Sequence, residues 1–318
     1  MMGEFHQMDN SLCNKCESGE EKLLFVVNPI SGTKKSAAKM MSMLQKFSDA
    51  GVLPTVYLTK CKGDARRYVK EHAREYDRIV CCGGDGTFSE TVNGLVESGV
   101  DKPIGYVPAG TTNDLAKTLG IPLRLDAAAE NAVKGKPSGL DVGLINNEKT
   151  FSYVASFGLF TKTSYSTPQD MKNALGHLAY LLEGAKELVD IPAYDMAVYT
   201  DGAEHHGKYI FGAITNSLSI GGVFKFDRSK VSLNDGEFEV MLIKQPDNIF
   251  EFGNIAITLN DGTYRDEHII FEKLPRVRIV SKESVAWTVD GEYGGSYKDI
   301  EIKNLAGRIS VILPEKKK

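Results

Sequence analysis

A glycine-rich turn with a single carboxylate is the part of the sequence best suited to chemistry. Gly83–Thr87, written GGDGT, follows the apolar run Arg78–Cys82 and precedes a helical pattern formed by Phe88, Val92, Leu95 and Val96. Glycines let backbone N–H groups approach phosphates, and a helix N-terminus favours negative charge. Because a carboxylate beside phosphates is repelled unless a cation or a hydroxyl intervenes, Asp85 indicates Mg²⁺-assisted phosphoryl transfer. An ordinary turn, with Asp or Thr capping the helix, is the alternative interpretation.

Two further turns could serve the same phosphate site. Asn28–Gly32, written NPISG, follows the apolar strand Lys22–Val27, and PAGTTNDLA begins at Pro108 after the strand Ile104–Val107. Hydroxyl and amide side chains in these turns can donate to phosphate or cap a helix. Turns that follow parallel strands can meet at the carboxyl ends of those strands. The loop GGDGT matches neither the P-loop nor the dinucleotide fingerprint.

Strands alternate with helical patterns up to about Gly139, which indicates a right-handed α/β layer structure. After Leu140 most segments are strand-like and separated by turns, apart from one helical stretch at Met171–Val189. We therefore predict a polar, flexible tail over residues 1–21, a nucleotide-binding domain over residues 22–139 and a β-rich domain over residues 140–318.

Composition limits the class of protein. The chain has 318 residues, 42% hydrophobic and 25% charged, with a net charge of −4, so no basic field indicates a nucleic-acid partner. No apolar stretch approaches the roughly 20 residues of a membrane span, and the N-terminus lacks the apolar core of a signal peptide. We expect a cytoplasmic protein whose membrane contact, if any, is peripheral.

The five cysteines do not predict a disulfide framework, because their number is odd and no secretion signal precedes them. Cys13 and Cys16 form a lone CxxC in the polar tail, which is too few ligands for a zinc site. We expect Cys81 and Cys82 to be small buried residues of the strand before the glycine turn.

Six motifs together resemble one enzyme family. They are NPISG at Asn28, GGDGT at Gly83, PAGTTNDLA at Pro108, LDVG at Leu140, LNDGEFEV at Leu233 and VDGEYGG at Val289. Their order is similar to that in the bacterial soluble lipid kinases of the diacylglycerol kinase catalytic family. The resemblance runs from about Lys22 to the C-terminus, and the stretch YSTPQDMKNALGHLAYLLEG looks closest to the soluble Gram-positive members.

The resemblance implies an α/β fold with an N-terminal three-layer α/β nucleotide-binding domain and a C-terminal β-sandwich. It also implies that the C-terminal tail can return to the first domain. By position, the residues that would bind ATP are Asn28, Pro29, Ile30, Ser31, Gly32, Thr59, Gly84, Asp85, Gly86, Thr87, Phe88, Ser89, Glu90, Thr111 and, within a wider polar network, Glu292.

Two magnesium positions and one base follow from the same resemblance. Asp85, Asp114 and Asp141 would surround a catalytic Mg²⁺, largely through water. A second Mg²⁺ would be held by Asp235 with main-chain oxygens of Ser232 and Glu237, although Asn-Asp-Gly is also common in simple hairpin turns. Asp290 would be the general base, and Asp85 the other catalytic residue.

The expected activity is therefore ATP-dependent phosphorylation of diacylglycerol, or a related lipid alcohol, to phosphatidate at an anionic membrane surface. The expected location is the inner face of the plasma membrane, contacted through basic residues such as Lys34 or Lys172. An NAD kinase-like phosphotransferase and a catalytically silent lipid-binding protein are the alternatives. The sequence settles neither the acyl-chain preference nor whether the protein forms a homodimer.

Overall fold

A computed structural model of the protein describes residues 21–31, 39–159, 192–217, 219–220, 224–225 and 231–315. Four predictions lie outside the described residues. They are the tail before residue 21, the helix Met171–Val189, the ATP contact of Gly32 and the membrane contacts of Lys34 and Lys172.

A parallel sheet forms the first part of the molecule. Its strands are β1 (Glu21–Val27), β2 (Val52–Leu58), β3 (Arg78–Gly83) and β4 (Ile104–Pro108), in the order β4-β3-β1-β2. Strand β4 is buried throughout, and β1 and β3 are buried from Leu23 and Ile79 onward, because helices cover both faces of such a sheet. Cys81 and Cys82 are buried in β3, as predicted.

Five described helices accompany this sheet. They are α1 (Met40–Asp49), α2 (Asp64–His72, continued by a 3₁₀ turn at Ala73–Glu75), α3 (Asp85–Ser98), α4 (Asp114–Leu119) and α5 (Leu125–Lys134). Helix α1 packs with α5, and α2 packs with α3. The strand order reverses between β1 and β3, so right-handed connections place α1 on the opposite face from α2 and α3. This reversal is a topological switch point, where α/β sheets bind ligands.

The second part of the molecule is rich in antiparallel strands and contains one described helix, α6 (Ile249–Asp261). A core around the fully buried Trp287 fills the space between its strands, and a smaller core lies beneath α6. The strands are β5 (Lys136–Ile145), β6 (Lys149–Phe151), β7 (Val154–Gly158), β8 (Tyr194–Tyr199), β9 (Glu204–Thr215), β10 (Ser219–Ile220), β11 (Phe224–Lys225), β12 (Phe238–Lys244), β13 (Ile269–Leu274), β14 (Arg276–Val289) and β15 (Glu292–Leu313).

Strand β15 connects the two parts. Its beginning pairs with β14, its middle and end pair with β5, and Val311 lies beside Ile104 of β4 in parallel register. The last strand of the chain therefore lies in the sheet of the first part. Strand β5 passes through the predicted boundary between residues 139 and 140, and that boundary stays a prediction. The predicted fold class, α/β followed by a strand-rich domain, is confirmed.

Candidate active site

Four loops meet at the carboxyl ends of the parallel strands. The amide of Asn28, after β1, donates to Cys82 O at 2.9 Å, and the amide of Thr59, after β2, donates to Val27 O at 2.9 Å. The amide of Ala109, after β4, donates to Gly83 O at 2.8 Å. These bonds extend the ladders beyond the strands and hold the loops along one edge.

The predicted phosphate turns touch one another at this edge. The amide of the Asn28 side chain donates to Thr87 Oγ1 at 3.0 Å. A Cβ on Gly110 would lie 2.7 Å from the Cα of Gly84, so glycine at Gly110 lets the two turns pack backbone against backbone. The switch point therefore presents a compact row of backbone groups at the N-terminus of α3.

A cavity of ≈ 470 Å³ opens beside these loops. Ten of the residues predicted to bind ATP line it, namely Asn28, Pro29, Ile30, Ser31, Thr59, Gly84, Gly86, Thr87, Glu90 and Glu292. Thr111 is exposed on the loop after β4 and does not line this cavity. The structure therefore brings most of the predicted nucleotide residues together, with Glu292 arriving from the second part of the chain.

Phe88 requires a correction. Its side chain is fully buried and packs against Tyr106, with ring centroids 4.6 Å apart. Phe88 faces the core because it lies on the apolar side of α3. Its ring stabilises the helix beneath the glycine turn and cannot contact a nucleotide.

Asp85 connects the glycine turn to the loop after β4. Its carboxylate accepts hydrogen bonds from Tyr106 Oη at 3.2 Å and from the amide of Asp114 at 2.9 Å. Burial raises the pKa of Asp85, while these two donors oppose the rise by stabilising the ionised form. Asp85 and Asp114 are thus neighbours.

Asp141 does not complete the predicted cluster of three carboxylates. It is fully buried in β5, where Oδ1 accepts from the amide of Gly307 at 2.7 Å and Oδ2 accepts from the amide of Gly236 at 2.8 Å. The side chain of Asn304 also donates to Oδ2 at 3.2 Å. This carboxylate is occupied in joining two loops to β5, which corrects the expectation that it faces the metal.

Within the part of the chain that the structure describes, no three His, Cys, Asp or Glu side chains converge on a metal position. Mg²⁺ usually keeps several waters and needs only one or two carboxylates besides phosphate oxygens. Asp85, which has no ion-pair partner among the described residues, fits such a water-mediated ion. Asp114 Oδ1 pairs with Lys117 Nζ at 3.3 Å, and its other oxygen is left for a bound water. Both side chains are partly buried at the edge that carries the predicted phosphate turns.

The second predicted metal position contains a cation from the chain itself. Lys273 Nζ lies 2.9 Å from Asp235 Oδ2, and the amide of Glu237 donates to Asp235 Oδ1 at 3.2 Å. The hydroxyl of Ser232 donates to Asn234 Oδ1 at 3.1 Å. A metal ion at this turn would compete with the ammonium group of Lys273, so the turn as it stands does not fit a metal.

Asp290 lies in a two-residue hairpin turn between β14 and β15. Asp290 and Gly291 have φ angles of 49° and 84°, the left-handed pair that an Asp-Gly hairpin turn adopts. The amides of Tyr153 and Val154 donate to Oδ1, and the amide of Ser152 donates to Oδ2, at 2.9 to 3.0 Å. Burial raises the pKa of Asp290, and these donors oppose the rise.

A second cavity, of ≈ 200 Å³, holds Asp290 beside the first. Gly86, Glu90 and Glu292 line both cavities. Lys62 also lines both and forms an ion pair with Glu292 at 3.0 Å. The carboxylate predicted to be the base therefore lies in a cavity that adjoins the one lined by the predicted nucleotide residues.

The sequence did not single out Lys60, Cys61, Asp64 and Tyr106 as site residues. Lys60 and Cys61 line the larger cavity because they follow Thr59 in the chain. The position of Thr59 directly after β2 would have indicated both residues from the sequence. Asp64 shapes this loop by accepting from Tyr57 Oη at 2.9 Å and from the amide of Lys60 at 2.8 Å.

None of the described helices is long and apolar enough to cross a lipid bilayer.

Comparisons of sequence identify relatives along nearly the whole chain. The family model of the diacylglycerol kinase catalytic domain matches residues 22–145. A protein named diacylglycerol kinase from Bacillus subtilis (strain 168) is 36% identical over 295 residues, which cover 92% of this chain and 96% of the relative. A protein of the same name from Staphylococcus aureus (strain MRSA252) is 31% identical over 293 residues, with 91% of each chain covered.

Solved structures agree with these relatives. A protein of Bacillus anthracis str. Sterne, provisionally described as a diacylglycerol kinase, superposes with a TM-score of 0.77 at 25% identity. The superposition covers 93% of this chain and 98% of that chain. A diacylglycerol kinase structure from the same strain gives a TM-score of 0.71 over 93% of this chain and 97% of that chain. Its identity is 22%, so it bears on the fold alone.

Proposed function

The chain belongs to the diacylglycerol kinase catalytic family and is a lipid kinase, and we propose that it transfers the γ-phosphoryl group of ATP to diacylglycerol, giving phosphatidate. One observation carries the proposal. A cavity lined by ten predicted nucleotide residues adjoins a second cavity that contains the predicted base, Asp290. Phosphoryl transfer requires a nucleotide and a proton acceptor on two sides of one reacting group.

The nucleotide would bind along the carboxyl edge of the parallel sheet. Backbone N–H groups at the N-terminus of α3 favour phosphate, and Asn28 and Thr87 are already fixed to each other there. Asp85 and Asp114 would hold Mg²⁺ through water, and the ion would supply positive charge beside the phosphates. Tyr106 and the amide of Asp114 keep the Asp85 carboxylate oriented for this role.

The acceptor hydroxyl would reach Asp290 through the smaller cavity. The oxygen of the acceptor hydroxyl forms a bond to the γ-phosphorus of ATP, while the bond from that phosphorus to the oxygen that bridges it to the β-phosphate breaks. ADP leaves with the electron pair, and the hydroxyl proton passes to the carboxylate of Asp290. The ionised form of Asp290 is needed for this step, and the amides of Ser152, Tyr153 and Val154 stabilise that form.

The substrate is held in a bilayer, so the proposal includes reversible binding at an anionic membrane surface. We expect the protein to sediment with vesicles that contain anionic lipid, and we expect salt to weaken this binding because exposed charges are screened. Vesicles of neutral lipid alone are the control. Equal sedimentation with both kinds of vesicle would contradict an electrostatic contact.

The acceptor is tested directly with radiolabelled ATP. The wild-type protein is incubated with Mg²⁺ and, in separate reactions, with diacylglycerol, sphingosine, other lipid alcohols or NAD. We expect labelled phosphatidate as the main product. Transfer to NAD in preference to lipid would support an NAD kinase-like activity, and transfer to none of the acceptors would support a lipid-binding protein without catalysis.

A further inference from the structure

Asp290 is held by donors from two parts of the molecule. Oδ1 accepts from the amides of Tyr153 and Val154, and Oδ2 accepts from the amide of Ser152 and, at 3.3 Å, from the Ser152 hydroxyl. These donors belong to residues 152–154, at the start of β7. The remaining donor to Oδ2 is the hydroxyl of Ser89, which lies 201 residues away in the helix that follows the glycine turn.

Ser89 differs from Thr91 and Ser98, two other buried hydroxyl residues of its helix. The hydroxyl of Thr91 donates to Thr87 O at 2.8 Å, and the hydroxyl of Ser98 donates to Leu95 O at 2.7 Å. Such bonds to a carbonyl of the preceding turn are the usual local solution for Ser and Thr in helices. Ser89 is only 7% exposed, yet its hydroxyl donates across to Asp290.

The position of Ser89 also separates it from the nucleotide. Ser89 lines the smaller cavity together with Asp290, and it does not line the larger cavity that contains most predicted nucleotide residues. It lies four residues after Asp85, about one turn along α3. One helix thus begins at the phosphate edge and contacts the carboxylate on the acceptor side.

We propose that Ser89 is a positioning residue for the base, fixing the carboxylate of Asp290 against the helix of the glycine turn, rather than a nucleotide contact. The inference rests on the proposed function, because it assigns Asp290 the proton of the acceptor. It gives Ser89 two effects on catalysis. The hydroxyl sets the direction of Oδ2, and it keeps the carboxylate ionised.

The effect of the Ser89 hydroxyl on the ionisation of Asp290 predicts the direction of a measurable change. Burial raises the pKa of Asp290, and the Ser89 hydroxyl is the foremost of the donors that lower it. Removing the hydroxyl therefore raises the pKa of Asp290. In a plot of kcat against pH, the rise of kcat on the acid side (the acid limb) then moves to higher pH. The other titratable or charged side chains that line the same cavity are kept in every variant, namely Lys62, Arg66, Glu90, Lys149, Glu292 and Tyr293.

The test compares Ser89→Ala with Ser89→Thr, and with Ser98→Ala as a buried serine of the same helix that is remote from Asp290. For Ser89→Ala we expect kcat to fall about tenfold near neutral pH, the size of one lost hydrogen bond to a charged group. We also expect the acid limb to move up by roughly half to one pH unit. Nucleotide affinity should stay within about twofold of wild type. Ser89→Thr keeps the hydroxyl and should keep the wild-type acid limb, as should Ser98→Ala.

Other outcomes overturn the inference. An unchanged acid limb in Ser89→Ala shows that the hydroxyl does not act on the base, and a loss of nucleotide affinity with normal kcat makes Ser89 a nucleotide residue. If Ser89→Ala does not fold, Ser89→Cys replaces it, because a thiol has similar size and is a weak donor. That variant must show the same upward shift. Wild-type protein that is inactive with every acceptor instead overturns the proposed function, which separates the two failures.

Discussion

The two acidic regions predicted to bind metal differ in what neutralises their charge. At the nucleotide edge, Asp85 has no ion-pair partner among the described residues, and its carboxylate is held by the neutral donors Tyr106 and the Asp114 amide. In the second region, Lys273 lies 2.9 Å from Asp235 and 3.7 Å from Glu239. A lysine side chain thus pairs with Asp235, whereas Asp85 has no such partner. Asp114, beside Asp85, is paired with the half-exposed Lys117 at 3.3 Å.

This difference indicates separate roles. A partly buried carboxylate without a cationic partner attracts a cation, and a nucleotide can bring Mg²⁺ to it. A carboxylate already paired with an ammonium group gains less from a metal, because the lysine must first be displaced. We therefore propose that Asp85 serves catalysis and that Asp235 serves the stability of the strand-rich part.

The largest expected effect separates the two regions by activity. Asp85→Asn keeps the shape of the side chain but removes its charge, and we expect kcat to fall by a factor on the order of 10³. Asp235→Asn should lower kcat by less than tenfold. Steady-state kinetics at several Mg²⁺ concentrations make the comparison.

The Mg²⁺ dependence is the discriminating part of that experiment. The concentration of Mg²⁺ needed for half-maximal rate should stay near wild type in Asp235→Asn. A rise of tenfold or more would restore the sequence-based prediction of a second metal at Asp235 and would contradict the assignment of Lys273 as its counterion.

A smaller effect should appear in stability as a function of pH. Glu239 is 1% exposed, and burial raises its pKa from 4.5 to about 7, with Lys273 opposing the rise. A carboxyl whose folded pKa is raised is favourable to folding only while protonated, so wild type loses stability as pH rises from about 4.5 to 7. The free energy of unfolding of Glu239→Gln, taken relative to wild type, should therefore be higher at pH 8 than at pH 4.5, by about 1–3 kcal/mol.

Urea unfolding at both pH values measures this difference. Lys273→Met is the matched variant, because it keeps Glu239 but removes the positive charge that opposes the rise of its pKa. Its free energy of unfolding at pH 8 should therefore be lower than that of wild type. A stability difference between Glu239→Gln and wild type that does not change with pH would show that Glu239 does not titrate in this range.

Local sequence predicted that the turns after β1, β3 and β4 meet at one edge, because turns that follow parallel strands lie at the carboxyl ends of those strands. Asn28, Thr59 and Gly84 each come directly after a strand, so the sheet itself brings them together. The resemblance placed Phe88 among the nucleotide residues. The helical pattern of the sequence had already put Phe88 on the apolar face of α3, where it packs against Tyr106.

Contacts between distant strands could not be read from the sequence. Lys273 reaches Asp235 from the neighbouring strand β13, and the amides that bind Asp141 come from loops 95 and 166 residues further along the chain. Asp290 was identified by resemblance, since an Asp-Gly turn alone indicates only a hairpin. Its bond to Ser89 depends on how the two parts of the molecule dock.

The most direct test of the account is the effect of Asp290→Asn on kcat and on ATP affinity, measured on the same preparation. Asn keeps the size of the side chain and one accepting oxygen, but it cannot take a proton at neutral pH. We expect kcat to fall by a factor on the order of 10²–10⁴ while ATP affinity stays near wild type. The unfolding midpoint should drop modestly, because the Asn nitrogen cannot accept a hydrogen bond from the amide of Ser152. A variant with near-normal kcat would remove Asp290 from the reaction, and a variant that no longer binds ATP would make it a residue of the nucleotide site.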